Sequence, residues 1–370
     1  MNSRPSRIAL AAGGTGGHLF PAIALGRELQ RRGYIPHLFT DKRGMHFLQQ
    51  SDWRDEHVTS LAAATFAGKK NLRQYFLACK TIVTAIIAAW KLFGRMRACA
   101  AVGFGGYPSF APLLAARLRG VPVCLHEQNA VFGRANKALA PLARVVTFAF
   151  PSSAKPDTVV TGTPVRDEVL AARDIPYSVP QASEPFRILV FGGSQGAHIL
   201  SSAMPEVFNL LPESLRSRIH VVQQCRDEDI GVLERNYQQA DIAFECAPFF
   251  SDLPQRIANA HIVIARAGAS TIAELTVIGR PSILLPLPGT LDADQFHNAD
   301  ILKRHGGSWV LEQNEELANE MARLLRECME SSAILAQVAS KAKNFGKPDA
   351  AKRLADVVEH TARSSSRLSQ

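Results

Sequence analysis

Three glycine-rich turns, each preceded by an apolar run and followed by an amphipathic one, constrain this chain more than any other feature. They read Gly13-Gly14-Thr15-Gly16-Gly17-His18, Gly103-Phe104-Gly105-Gly106-Tyr107 and Gly192-Gly193-Ser194-Gln195-Gly196-Ala197. Glycine lets backbone N–H groups close on an oxygen-rich anion, and a following helix adds the positive end of its dipole. In an open parallel sheet such turns lie at the carboxyl ends of strands, where ligands bind. A carbohydrate diphosphate is a natural occupant; for any one turn, a tight β–α connection with no ligand is the plainer alternative. None spells G-x-G-x-x-G and none ends in Gly-Lys-Ser/Thr, so neither a dinucleotide fingerprint nor a Walker loop is present.

The turns punctuate a regular rhythm. Strands are predicted over residues 7–12, 35–40, 98–103, 121–125 and 145–148, with helices over 21–32, 109–119 and 134–139. The pattern restarts with strands over 187–191, 219–223, 242–245, 261–265 and 282–286, and helices over 197–210, 270–278 and 295–304. Repeated β–α units imply parallel sheets covered on both faces. The 370 residues suit two such domains. The expected division is 1–163 and 164–346, followed by a helical segment from 347 that docks back on the first domain. The tail over 361–370 is polar.

A net charge of +9 favours an anionic partner: nucleic acid, anionic lipid or a phosphorylated substrate. No helix-turn-helix, zinc finger or aromatic RNA motif supports nucleic acid. The six cysteines form no C-x-x-C pair, and Cys79, Cys99 and Cys124 lie in apolar runs, as buried free thiols do. A reducing compartment follows, with no disulfide frame or structural zinc. The apolar run after Arg7 stops at Gly13, too short for a signal peptide. The longest apolar tract, over 81–90, is bounded by Lys80 and Lys91, well below a bilayer span. These features predict a cytosolic or peripheral protein.

A fourth candidate is Arg266-Ala267-Gly268-Ala269-Ser270-Thr271-Ile272-Ala273-Glu274, again between strand and helix. Ser270 and Thr271 would stand at the helix start, where N–H groups and hydroxyls take phosphate. Glu274 follows Ser270 by one turn, and its carboxylate can accept from both hydroxyls of a ribose, or serve only the helix surface. Asp292-Ala293-Asp294 spells D-x-D, a spacing of carboxylates that can hold a divalent metal. Here it precedes a helix, and an acidic helix start explains it without a required metal.

GGTGGHLFPAIALG, GFGGYPSFAPLLAA, HEQNAVFGRANKALA, GTPVR, FGGSQGAHIL and RAGASTIAEL occur in this order over nearly the whole chain. Together they make the sequence similar to the MurG family of UDP-N-acetylglucosamine transferases, which convert lipid I to lipid II in peptidoglycan synthesis. The resemblance implies the GT-B fold, two Rossmann-like doubly wound domains facing across a cleft, with no bound metal or cofactor. It implies donor contacts from Ser194 and Arg166 to the diphosphate, from Ala269, Ser270 and Thr271 at their helix start, and from Glu274 to the ribose. Phe250 would use its backbone around uracil, and Asp294 and Gln295 would hold sugar hydroxyls. Thr15, Gly16, Gly17 and Asn129 would reach the donor from the first domain. Gly14, His18, Gly105, Gly106 and Tyr107 would form the acceptor's pyrophosphate and sugar site. The family often carries an amide or imidazole where this chain has Asp294, so that contact loses its donor group. A UDP-sugar 2-epimerase keeps the fold but needs no lipid acceptor; the paired glycine loops of the first half and HEQN argue against it.

The implied chemistry is a single displacement at the anomeric carbon, inverting α to β. His18 is the first candidate base, because an imidazole titrates near neutrality, and Glu127 is the second. Basic residues around the apolar tract, with Leu72, Phe76, Trp90 or Phe93, suit anionic lipid at the cytoplasmic face of the inner membrane. Most of the stretch over 82–89 is expected to bury an apolar face.

Overall fold

In the computed structural model, which describes residues 6–48, 53, 57–64, 71–151, 158–182, 184–193, 198–289 and 292–366, the apolar runs pair as parallel strands in two sheets. The first contains β1 (Arg7–Ala11), β2 (Ile35–Thr40), β3 (Val58–Ser60), β4 (Ala98–Gly103), β5 (Val123–Glu127), β6 (Val145–Phe148) and β7 (Val159–Val160). Their spatial order is β3-β2-β1-β4-β5-β6-β7, with Leu10 of β1 opposite both Leu38 and Val102. Strand order reverses beside β1, so the crevice of a doubly wound sheet opens between the carboxyl ends of β1 and β4. That is where the first two glycine turns lie.

Alternation along β1 assigns its two faces. Ile8 and Leu10 pack with Leu19 and Leu25 of helix α1 (Gly16–Arg31) and with Leu354 and Val358 of the C-terminal helix. Ala9 and Ala11 pack against Phe93 of α3 (Leu72–Met96) and Leu113 of α4 (Phe110–Leu118). Between these stand the short helices α2 (Lys42–Leu48) and, after β5, α5 (Arg134–Leu139).

The second sheet contains β8 (Phe186–Phe191), β9 (Ile219–Gln224), β10 (Ala243–Ala247), β11 (Ile262–Ala265), β12 (Ser282–Leu284) and β13 (Trp309–Val310), in the order β10-β9-β8-β11-β12-β13. Its switch point is β8/β11, beside the third glycine turn and the segment from Arg266. Its helices are α6 (Asp167–Ala172), α7 (His198–Asn209), α8 (Glu213–Arg216), α9 (Asp227–Gln239), α10 (Leu253–Asn259), α11 (Ala269–Ile278), α12 (Asp294–Arg304), α13 (Leu317–Glu330) and α14 (Ser332–Phe345). Phe186, Ile188 and Val190 of β8 anchor its core against Met204, Phe208 and Leu325.

Contacts divide the chain into one unit of Met1–Arg166 with Pro348–Gln370 and a second of Asp167–Lys347. The last helix, α15 (Ala350–Ser366), belongs to the first unit because Leu354, Ala355 and Val358 complete the core beside α1. At its edge Arg32 Nη1 donates to Asp356 at 2.6 Å. Arg166 stays with the first unit, its guanidinium 4.4 Å above the Phe20 ring of α1.

Two expectations need correction. The tract bounded by Lys80 and Lys91 is part of a longer helix, because both lysines are exposed and do not interrupt it. Among the described residues α3 is the one helix long and apolar enough to cross a membrane by length and composition. Nor does its middle bury a broad face: between 82 and 89 only Ala85 and Ala89 are buried, while Val83 and Ile87 are exposed. Secondly, Cys79 is exposed on this helix, whereas Cys124 is buried and its thiol is pushed up to about 11 by burial.

Burial also neutralises three imidazoles, pushing His126 down to about 3 and His37 and His261 to about 4. The unfolded chain therefore binds more protons than the folded one once pH drops below the ordinary histidine value of ~6.5. Stability fully present at pH 7.5 is expected to be lost progressively between about pH 6.5 and 4. Calorimetry should give a lower Tm at pH 5 than at pH 7.5, and an equal or higher Tm at pH 5 would contradict the assignment.

Candidate active site

In the first unit the two glycine loops meet backbone to backbone. Gly13 N–H donates to Gly105 O at 3.1 Å, and a Cβ on Gly106 would lie 2.9 Å from Gly13 Cα. Gly105 and Gly106 have φ of 84° and 76°, a region that L side chains rarely adopt. The helix α1 starts at Gly16 with Thr15 as an extended N-cap that makes no side-chain cap bond. Two residues on, the His18 ring covers both loops. Cβ atoms built on Gly13 and Gly106 would each lie 3.3 Å from its Cδ2, and one on Gly105 would lie 3.4 Å from its Cε1. A Cβ on Gly17 would meet nothing within 4 Å, so the first turn is open beside the imidazole. Tyr107 is half exposed at the far side of the second loop.

Glu127, at the end of β5, is buried with both carboxylate oxygens engaged. Oε1 accepts from Asn129 N–H at 3.0 Å, and Oε2 accepts from Gly133 N–H at 2.9 Å and Asn136 Nδ2 at 2.8 Å. This carboxylate shapes the loop that carries Asn129. The preceding His126 donates from Nδ1 to Thr147 Oγ1 at 3.0 Å, because the threonine gives its own proton to Leu125 O. It is a core imidazole, set edge-on to Phe104.

In the second unit the third loop is described only through Gly193, with φ of 80°; Ser194 lies outside the described residues. Beside it, α11 starts at Ala269 behind an extended Gly268. Ser270 and Thr271 stand in its first turn, and Glu274 is buried one turn later. Arg266, a residue whose role was not foreseen, organises this end of the sheet. Its Nη1 donates to Leu285 O and Pro286 O at 3.1 and 3.2 Å, and its Nη2 to Gln313 Oε1 at 3.0 Å. Asn298, also unforeseen and fully buried, donates from Nδ2 to Ala267 O at 3.3 Å, tying α12 to the same loop. Neither has a sequence signal beyond its place within or near a motif.

Gln295 Oε1 accepts from Leu287 N–H at 3.0 Å, which leaves its amide NH₂ to donate. Ala293 adopts a left-handed conformation (φ 46°) immediately before Asp294 begins α12. That costs a non-glycine residue about 1–2 kcal/mol, and places the Asp294 carboxylate at a positive helix end. Across the sheet the Phe250 ring is buried under Arg256, whose Cζ lies 4.1 Å above it. Arg256 is held by Glu245 at 2.6 Å and Asp252 at 2.8 Å. The ring is thus committed to packing.

Two parallel α/β units, each with a glycine turn beside its switch point, form the GT-B fold. The chain matches the N-terminal domain of glycosyltransferase family 28 over residues 8–148 and its C-terminal domain over 187–354. It belongs to that family. It is 46% identical over 359 residues to the UDP-N-acetylglucosamine--N-acetylmuramyl-(pentapeptide) pyrophosphoryl-undecaprenol N-acetylglucosamine transferase of Chelativorans sp. (strain BNC1), covering 96% of this chain and 95% of the relative. The protein of the same name from Brucella canis is 45% identical over 366 residues, covering 96% and 94%. Among solved structures, MurG of Acinetobacter baumannii superposes with a TM-score of 0.76 at 28% identity, over 96% of this chain and 100% of that one. A UDP-N-acetylglucosamine 2-epimerase shares the fold, with a TM-score of 0.64 at 14% identity, over 95% and 94%.

Stability measured beside turnover separates a loop-shaping role of Glu127 from that of a base. Glu127→Ala leaves buried donors unsatisfied and is expected to cost about 3 kcal/mol, lowering Tm by roughly 6–12 °C. An unchanged Tm together with abolished turnover would instead identify Glu127 as the base.

Proposed function

We propose that the protein transfers N-acetylglucosamine from UDP-N-acetylglucosamine to the muramyl sugar of lipid I, releasing UDP and forming lipid II. The observation that carries this reading is the pair of glycine loops in the first unit, closed backbone to backbone under the His18 imidazole. A diphosphate needs several N–H donors with no side chain in the way, and an attacking hydroxyl needs a base beside it. Gly14, Gly105 and Gly106 meet the first need and His18 the second, with Tyr107 toward the acceptor sugar. Full-length relatives that carry this activity in their names support the same conclusion.

The donor is assigned to the second unit. Ser194, with Ala269, Ser270 and Thr271 at the start of α11, takes the diphosphate, and Glu274 accepts from the ribose hydroxyls. The Phe250 backbone frames uracil, while Gln295 donates to the sugar and Asp294 accepts from it. Thr15, Gly16, Gly17 and Asn129 contribute to the donor from the first unit, and Arg166 supplies a cation. The acceptor hydroxyl gives its proton to His18 as it attacks the anomeric carbon, and UDP leaves from the opposite face with inversion. Negative charge on the leaving diphosphate is offset by amides, helix starts and Arg166. No metal and no cofactor beyond the two substrates is assigned.

A lipid-linked acceptor requires the enzyme to work at a membrane surface, and α3 suits the cytoplasmic face of the inner membrane. Leu72 and Phe76 are 88% and 70% exposed, and between residues 57 and 126 the chain has nine Lys and Arg but no Asp or Glu. An apolar face rimmed by cations binds anionic lipid. Phe93 is buried in the core and drops out of this surface, and Trp90 is partly covered by Arg119, 3.3 Å above its ring.

Steady-state kinetics should separate these roles. His18→Ala is expected to lower kcat by about 10²–10⁴-fold with little change in the donor KM. Glu274→Ala should raise the donor KM roughly tenfold while the acceptor KM holds. Normal turnover by His18→Ala would remove the base assignment. Replacing Leu72 and Phe76 together by Ser should weaken sedimentation with phosphatidylglycerol vesicles and leave the donor KM alone; undiminished sedimentation would remove this surface.

A further inference from the structure

The first glycine loop has a charged neighbour that the proposed function does not use. Asp41, the residue after β2, presses its carboxylate against Gly14 so closely that any side chain there would collide with Oδ1. The same Gly14 borders Arg43, since a Cβ on the glycine would lie 2.8 Å from Arg43 Cβ. Asp41 is buried and does a structural job: Oδ1 accepts from Gly44 N–H at 3.0 Å. A fixed negative charge against Gly14 repels any phosphate bound by that loop. Arg43 answers it, donating from Nε and Nη2 to Asp41 Oδ2 at 3.1 and 3.0 Å.

The ion pair uses only one side of the guanidinium. Nη1 makes no hydrogen bond among the described residues, and the Arg43 side chain is 68% exposed while that of Asp41 is 12% exposed. A pair so exposed on its arginine side contributes little to stability. An arginine fixed along one edge, with its remaining donors turned to solvent beside a glycine loop, is preorganised for a phosphate oxygen. We propose that Arg43, held by Asp41 against Gly14, is an acceptor-binding residue that donates to the pyrophosphate of the lipid-linked acceptor. This rests on the assignment of the acceptor to the first glycine loops.

The test uses a short-chain, water-soluble muramyl-pyrophosphoryl lipid as acceptor, which removes the membrane from the measurement. Arg43→Ala is expected to raise the acceptor KM roughly tenfold, with the UDP-N-acetylglucosamine KM unchanged. Arg43→Lys, which keeps the charge but not the fork, should recover part of the loss. Inorganic pyrophosphate, competing against the acceptor, should lose potency against Arg43→Ala by a similar factor. An unchanged acceptor KM, or a parallel rise in both KM values, would overturn the proposal, the latter because a merely structural role acts on both substrates. Loss of vesicle binding by Arg43→Ala with an unchanged soluble-acceptor KM would overturn it in favour of a lipid headgroup. Failure of the wild type to transfer at all would instead overturn the proposed function beneath it.

Discussion

Two backbone segments can touch only where neither carries a side chain, and that constraint governs the first unit. Gly13 and Gly106 approach so closely that a Cβ on the latter would lie 2.9 Å from the Cα of the former. The hydrogen bond from Gly13 to Gly105 fixes the contact and joins the carboxyl ends of β1 and β4. A single short helix start then suffices to bring His18 over both loops. The crevice exists because strand order reverses at β1, and it stays open because glycine fills none of it. Both the base and the diphosphate site of the proposed reaction depend on this contact.

The second unit solves the same problem with buried polar side chains. Arg266 holds the end of β12 and Gln313 in place, and burial lowers its pKa without a carboxylate to offset the cost. Five backbone carbonyls surround Arg280, the largest fully buried side chain among the described residues, and tie 175–176 to α10 and the end of α11. Such groups are costly to bury and fix geometry rather than add stability. They leave Ser270, Thr271 and Glu274 on a rigid helix start, the condition for binding a diphosphate and a diol without reorganisation.

Much of this was legible in the sequence because it depends on local chemistry. Strands such as those at 35–40 and 98–103 are apolar runs ended by turns, and the glycine loops announce themselves by composition. Beyond local reach the sequence was silent. The two- and three-residue edge strands β3, β7 and β13 carry no periodicity long enough to detect. Lys80 and Lys91 looked like boundaries because charge in an apolar run suggests an end, yet a long lysine chain leaves a helix surface without interrupting it. Phe93 looked like a membrane contact and is core, because only the packing of α3 on the sheet decides which stripe is covered. Glu127 as a loop organiser and Asp41 against Gly14 both depend on neighbours brought together by folding. Resemblance to a known family supplied the substrates; residue chemistry alone reached an anion site and a nearby base.

In the proposed reaction, two substrate sites in one chain carry out a single sugar transfer to a lipid. UDP-N-acetylglucosamine radiolabelled in the sugar, incubated with the wild-type protein and a soluble lipid I analogue, measures this directly. Label is expected in the lipid product, joined through a β linkage, with one UDP released per sugar transferred. Label that stays in the nucleotide sugar or is converted to its 2-epimer, with none in the lipid, would contradict it.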